Sequence, residues 1–179
     1  FYYFIRIVNE VEPYRYQKLD ISEPLISIFD GSWQSEKYFF DCKDLYKTIL
    51  REFFDLSNLT LNDSIVTKKS CSQKIALHLR RGDYLRLDGY GILGNDYYST
   101  AKKYIINKFN DCETIAFSDE IDNLKNNKEI KADYYFDDRS MDSKKVLAYM
   151  STCDHFITAN STFSWWAAYL GDKNNKVIV

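Results

Sequence analysis

Two adjacent arginines close an apolar run, Lys74-Ile75-Ala76-Leu77-His78-Leu79-Arg80-Arg81-Gly82-Asp83-Tyr84. Uncompensated charge in a low-dielectric interior is costly, so this pair either faces water or holds something anionic. Guanidinium forks suit phosphate bidentately, and the plain alternative is a surface ion pair with Asp83. Three more polar groups follow other apolar runs: Phe117-Ser118-Asp119-Glu120, Asp137-Asp138-Arg139 and Asn160-Ser161-Thr162-Phe163-Ser164. The last stands where a helix begins. Its free N–H groups, the positive end of the helix dipole and its hydroxyls suit an anion, unless Asn160 or Ser161 simply caps the helix. Asp119 could accept two parallel N–H bonds of the kind guanine offers, or cap the helix after it. His78 is either a core histidine or a base or sugar contact. Trp165 and Trp166 read as packing residues.

The elements that must position these groups follow from periodicity. Residues 1–34 are strand-like, with strands expected over 4–8, 13–16 and 25–29. Apolar residues from Phe39 to Phe53 recur at helical spacing, which predicts a helix over 36–56 with Ser35 as its N-cap. A polar connection over 57–73 separates two expected domains. Residues 1–72 are read as the remainder of a first domain and 73–179 as a Rossmann-type second one. In the second, strands are expected over 75–79, 114–117, 133–136 and 155–159, with another starting at 176. Helices are expected over 96–109, 119–127, 141–151 and 163–170, the last closed by Gly171. A glycine-bearing loop (Gly89, Gly91, Gly94) follows the first strand. Alternating strand and helix with short links implies a doubly wound parallel sheet, whose ligands bind outside the carboxyl ends of the strands.

Composition narrows the function further. The 179 residues are 45% hydrophobic and carry a net charge of −2, which fits a globular fold and argues against a nucleic-acid surface. Four scattered cysteines and two histidines support neither a zinc site nor a disulfide scaffold, so reduced and mostly buried thiols are expected. No apolar run is long enough to span a bilayer, and no signal peptide is expected. Both ends look cut, so a fragment is expected. There is no Gly-x-Gly-x-x-Gly after a strand, no P-loop, and no Asp-x-Asp at a strand end. What remains is a diphosphate held by arginine and a helix start without a metal, the equipment of a sugar-nucleotide transferase.

These residues resemble a family. His78-Leu79-Arg80-Arg81-Gly82-Asp83-Tyr84 resembles the first signature of the α-1,2-fucosyltransferases (glycosyltransferase family 11). Phe117-Ser118-Asp119-Glu120 is similar to their second. Met150 through Leu170, with Asn160-Ser161-Thr162-Phe163-Ser164-Trp165-Trp166-Ala167-Ala168, is similar to their third. Gly31-Ser32-Trp33-Gln34-Ser35-Glu36-Lys37-Tyr38-Phe39 looks like the segment before the family's long helix. The resemblance implies an α/β, GT-B-like fold, inversion at the anomeric carbon, and transfer of fucose from GDP-fucose to a galactose-ended glycan. It implies no cofactor and no metal; GDP-fucose is a co-substrate. Arg80 and Arg81 would hold the pyrophosphate, His78 and Asp119 would face the guanosine, and Asn160, Ser161, Thr162 and Ser164 would line the phosphate end. Arg81 and Asp83 are the catalytic candidates, Asp83 as general base. The family's glycine-rich opening does not occur in these 179 residues, so much of the first domain and its acceptor contacts is expected to be missing from them. A bacterial, cytoplasmic protein is expected, with peripheral association at the inner face of the membrane as an option. A second hypothesis is a non-catalytic GDP-sugar-binding module, and a third is a different GDP-sugar such as GDP-mannose.

Overall fold

A computed structural model of the chain describes residues 5–12, 15–19, 26–54, 73–82, 84, 91–137, 142–171 and 173–179. The chain divides into two compact units, Phe1–Lys47 and Thr48–Val179.

In the first unit β1 (Ile5–Asn9) and β2 (Ile26–Asp30) pair in parallel, with Ile5 opposite Ile26. Of the strand expected over 13–16, residues 13 and 14 lie outside the described residues. Arg15 and Tyr16 are not in a strand; Arg15 turns back on Glu12, to which it donates from its backbone N–H and its guanidinium. The helix expected from residue 36 starts late. Ser35 does cap, its hydroxyl accepting from the Lys37 N–H at 3.4 Å. Glu36–Tyr38 and Phe40–Cys42 are short 3-10 turns, however, and the α-helix itself, α1, covers Lys43–Phe53. Aromatic packing explains the delay. Tyr38 lies 5.0 Å from Tyr16 and 5.5 Å from Trp33, and Phe39 lies 5.7 Å from Tyr46. Such contacts outweigh the modest helix propensity of Tyr and Phe. The expected end of this helix (55–56) and the connection over 57–72 lie outside the described residues.

The second unit is the α/β fold. Strands β3 (Gln73–Leu79), β4 (Cys112–Ser118), β5 (Tyr134–Phe136) and β6 (His155–Ile157) form a parallel sheet in the order β5-β4-β3-β6. The chain end extends it, Phe156 N–H donating to the Val177 carbonyl and Val179 N–H to that of Phe156. Helices α2 (Asn95–Phe109) and α3 (Ile121–Lys125) pack on one face, and α4 (Ser143–Ser151) and α5 (Thr162–Leu170) on the other. A strand covered on both faces is apolar throughout rather than alternating, and residues 75–79 are all buried. Alternation still sorts the side chains between faces. Ile75, Leu77 and Leu79 meet Ile105 and Leu124 of α2 and α3, whereas Ala76 meets Met150 and Ala167 of α4 and α5.

Among the cysteines, Cys42, Cys112 and Cys153 are free thiols, but only Cys153 is buried, its thiol pushed up to about 12 by desolvation. Cys71 lies outside the described residues. No described helix is long and apolar enough to cross a membrane.

Gly171 closes α5, but not through a left-handed turn, since its φ is −58°. Close approach demands the glycine instead. A Cβ there would sit 2.8 Å from Phe156 Cζ and 3.0 Å from the Ser151 carbonyl oxygen. Gly171→Ala should therefore cost about 1–3 kcal/mol by overpacking, read as a lower urea midpoint; an unchanged midpoint would contradict the clash.

Candidate functional site

All strands of the second unit run parallel, so their carboxyl ends share one edge. In open sheets of this kind ligands bind where the strand order reverses, which here is between β3 and β6. Register sets Leu79 opposite Ser118, so the residues leaving β3 meet those leaving β4. Asp119 receives them. Its Oδ1 accepts from the Arg81 N–H at 3.2 Å, its Oδ2 from the Gly82 N–H at 3.1 Å, and the Arg80 guanidinium stands 3.3 Å from Oδ2. Asp119 thus accepts two parallel N–H bonds, but from the protein's own backbone. A Cβ at Gly82 would stand 2.7 Å from Asp119 Oδ2, so this approach needs glycine.

The two arginines part company. The two-residue period of the strand directs Arg80 to the α4/α5 side with His78, and Arg81 to the α2/α3 side with Leu79. The Arg80 guanidinium lies 5.7 Å from the centre of the Tyr84 ring, and the Tyr84 hydroxyl donates to the Asn160 carbonyl at 3.4 Å. Arg81 donates through Nη2 to Asn95 Oδ1 at 2.7 Å, at the start of α2. The Asn95 amide in turn donates to the Glu129 carboxylate. Arg81 Nε is buried without a hydrogen-bond partner. Beside Arg81 a cleft of about 310 Å³ opens, walled by Leu79, Ile92 and Leu124 and edged by Glu120 and Asn123.

The start of α5 is open. Ser161 occupies the N-cap position, yet its hydroxyl makes no capping bond. The Asn160 amide donates to the Gly91 carbonyl at 2.5 Å instead. Ser164 is buried and its hydroxyl is spent on the Ala159 and Ser161 carbonyls, at 3.3 and 3.2 Å. Thr162 is exposed at the first turn. The other end of the helix is neutralised: Lys176 Nζ donates to the Ala168 and Gly171 carbonyls at 2.9 and 2.7 Å, and Arg51 to that of Leu170 at 2.8 Å. With its negative pole compensated and its positive pole uncapped, α5 favours an anion at its start, an interaction worth about 0.3–1 kcal/mol at a surface and about 2 kcal/mol when partly buried.

His78 sits beneath this rim, 6% exposed, with its ring 5.8 Å from Phe163 and its Nδ1 buried without a hydrogen-bond partner. The structure therefore gathers His78, Arg80, Asp119 and Asn160 around the β3–α5 edge, and turns Arg81 away to α2. Asp83, Asp138 and Arg139 lie outside the described residues. Among the described residues no three His, Cys, Asp or Glu side chains are grouped to hold a metal ion. Tyr84 and Glu120 join the site from within the quoted motifs, though neither was given a role there, and Asn95 and Asn123 join it from outside them.

Residues 15–179 match glycosyl transferase family 11. The chain belongs to this family. It is 33% identical over 156 residues to an α-1,2-colitosyltransferase of Escherichia coli, covering 79% of this chain and 50% of that protein. It is 34% identical over 133 residues to the O-antigen biosynthesis glycosyltransferase WbnK of Escherichia coli, covering 70% and 44%. The chain thus spans about half the length of the curated relatives it matches. Among solved structures, POFUT1 in complex with GDP aligns over 86% of this chain and 54% of that one, at 15% identity and a TM-score of 0.47. That likeness is too distant to carry functional weight.

Within this family-11 chain the His78 imidazole titrates abnormally. Burial holds its pKa down at about 4, with Asp119 raising it and Arg80 lowering it further. The ring is neutral in the fold at pH 7, while the unfolded chain takes up a proton below pH 6.5. Stability from this group is therefore full above pH 6.5 and falls by about 3 kcal/mol as the pH drops to 4. An NMR titration should place the His78 midpoint near 4; a midpoint near 6.5 would show that the ring is solvated.

Proposed function

We propose that the second unit is the GDP-sugar-binding part of a transferase that moves L-fucose from GDP-fucose to a hydroxyl of a galactose-ended glycan, in α-1,2 linkage, with inversion and without a metal. The observation that carries this reading is the uncapped start of α5 beside Arg80 at the reversal of strand order. Family membership supports glycosyl transfer, and the relative named for an α-1,2 linkage supports that linkage.

The chemistry is a single displacement. The acceptor oxygen forms a bond to the anomeric carbon as the bond to the β-phosphate oxygen breaks, and the acceptor proton passes to a base. Negative charge develops on the departing GDP. Arg80 and the first-turn N–H groups of Thr162 and Phe163 are the donors suited to stabilise it. Arg81, tied to Asn95, orients the loop after β3 and thereby Arg80. Asp83 follows these residues in sequence and is the candidate base, which must come within hydrogen-bond reach of the acceptor hydroxyl.

A second reading replaces fucose by colitose, its 3-deoxy counterpart, and is favoured by the name of one relative. Turnover of each GDP-linked sugar separates the two. Arg80→Ala should lower kcat about 10²–10³-fold, as loss of one oxyanion donor does elsewhere. GDP release at the wild-type rate would overturn the phosphate role.

A further inference from the structure

We infer that Tyr84 is a positioning residue of the donor site, fastening Arg80 to the turn before α5 so that the arginine and the helix start meet one anion together. This role rests on the GDP-sugar reading above and adds to it the group that sets the spacing of its two anion donors. Arginine carries a long side chain, and ordering it only when a ligand arrives subtracts from affinity. In this fold two contacts order it beforehand. Asp119 stands 3.3 Å from the guanidinium and ties it to the exit of β4. The Tyr84 ring, its centre 5.7 Å from the same guanidinium, offers the cation an electron-rich face. The Tyr84 hydroxyl then donates to the Asn160 carbonyl at 3.4 Å, so the ring that meets the arginine is itself anchored at α5.

The anchor falls on a carbonyl that the helix itself cannot satisfy. Asn160 precedes the N-cap residue Ser161, and the first helical bond runs from the Trp165 N–H to the Ser161 carbonyl at 3.1 Å. The carbonyls on the other side of Asn160 are also met. That of Thr158 accepts from the Tyr97 hydroxyl at 2.9 Å, and that of Ala159 from the Ser164 hydroxyl at 3.3 Å. Thr158, Ala159, Asn160 and Ser161 thus form a run of carbonyls, each with a donor on it. Bare, these oxygens would oppose an anion at the helix start; covered, they leave the positive end of the helix to dominate. The Asn160 amide, meanwhile, holds the Gly91 carbonyl at 2.5 Å, so the residues leading into α2 are tied to the same turn. Phenylalanine in place of Tyr84 would keep the ring against Arg80 and lose the anchor. The hydroxyl is what joins the two halves of the rim.

A double-mutant cycle, read by calorimetric titration of the chain with GDP, tests this. Tyr84→Phe should weaken GDP binding by roughly 3–10-fold, the worth of one neutral hydrogen bond. Tyr84→Leu removes the ring as well and should weaken it further. In an Arg80→Ala background the same two substitutions should each change the affinity by less than about 2-fold, since a residue that acts through Arg80 then has nothing left to position. A merely structural role, or a direct contact with the ligand, would cost the same in both backgrounds, and that result overturns the positioning role. Wild-type affinity in both single variants overturns it too. Either result leaves the donor reading standing. Absence of any GDP binding by the wild type overturns the donor reading and the role of Tyr84 with it.

Discussion

Asp119 holds the exit of β3, and the placement of every other group at the rim depends on it. Its carboxylate gathers the N–H groups of two consecutive residues, Arg81 and Gly82, and the guanidinium of the residue before them. A charged acceptor makes hydrogen bonds about twice as strong as neutral ones. The chain beyond Leu79 is therefore pinned to the end of β4 rather than trailing into solvent. Gly82 permits the approach, since a methyl group there would collide with the carboxylate. Once the exit is pinned, the alternation of the strand fixes the rest: Arg80 toward α5, Arg81 toward α2.

Helix α5 supplies the complementary half. Two cations, Lys176 and Arg51, cover carbonyls at its carboxyl end. The Ser161 hydroxyl at its start makes no capping bond, while that of Ser164, further in, is consumed on the Ala159 and Ser161 carbonyls. A helix that is satisfied at one end and open at the other is polarised toward an anion. The Tyr84 bridge, with its ring under Arg80 and its hydroxyl on Asn160, ties the arginine to this open end. Below them His78 stays neutral through burial, so it adds no positive charge to the rim at pH 7.

Much of this was legible in the sequence. Continuous apolar runs and short polar links located β3 to β6 and α2 to α5 to within two residues, because burial on both faces leaves little choice of residue type; the strand expected from 176 is instead a single bridge between Ile178 and Phe156. The polar residues at the strand ends were legible for the same reason: Arg80, Asp119 and Asn160 interrupt runs that are otherwise apolar. Their partners were not. A carboxylate at a strand exit accepts from a ligand or from backbone with equal chemistry, and only the register of β3 against β4 shows that Asp119 takes Arg81 and Gly82. Similarly, an adjacent arginine pair reads as one phosphate clamp until strand alternation is applied to it. Glu120 and Asn123 lie three residues apart at the start of α3, but Ile92 comes from a separate segment and no spacing rule relates it to them. In the first unit, aromatic contacts made across a fold replaced the first turns of the expected helix, a competition that periodicity alone does not register.

A crystal structure of the full chain with GDP bound is the most direct measurement. The β-phosphate should lie on the N–H groups of Thr162 and Phe163, with the Arg80 guanidinium against it. Phosphates bound elsewhere, with the start of α5 left to water, would contradict the account.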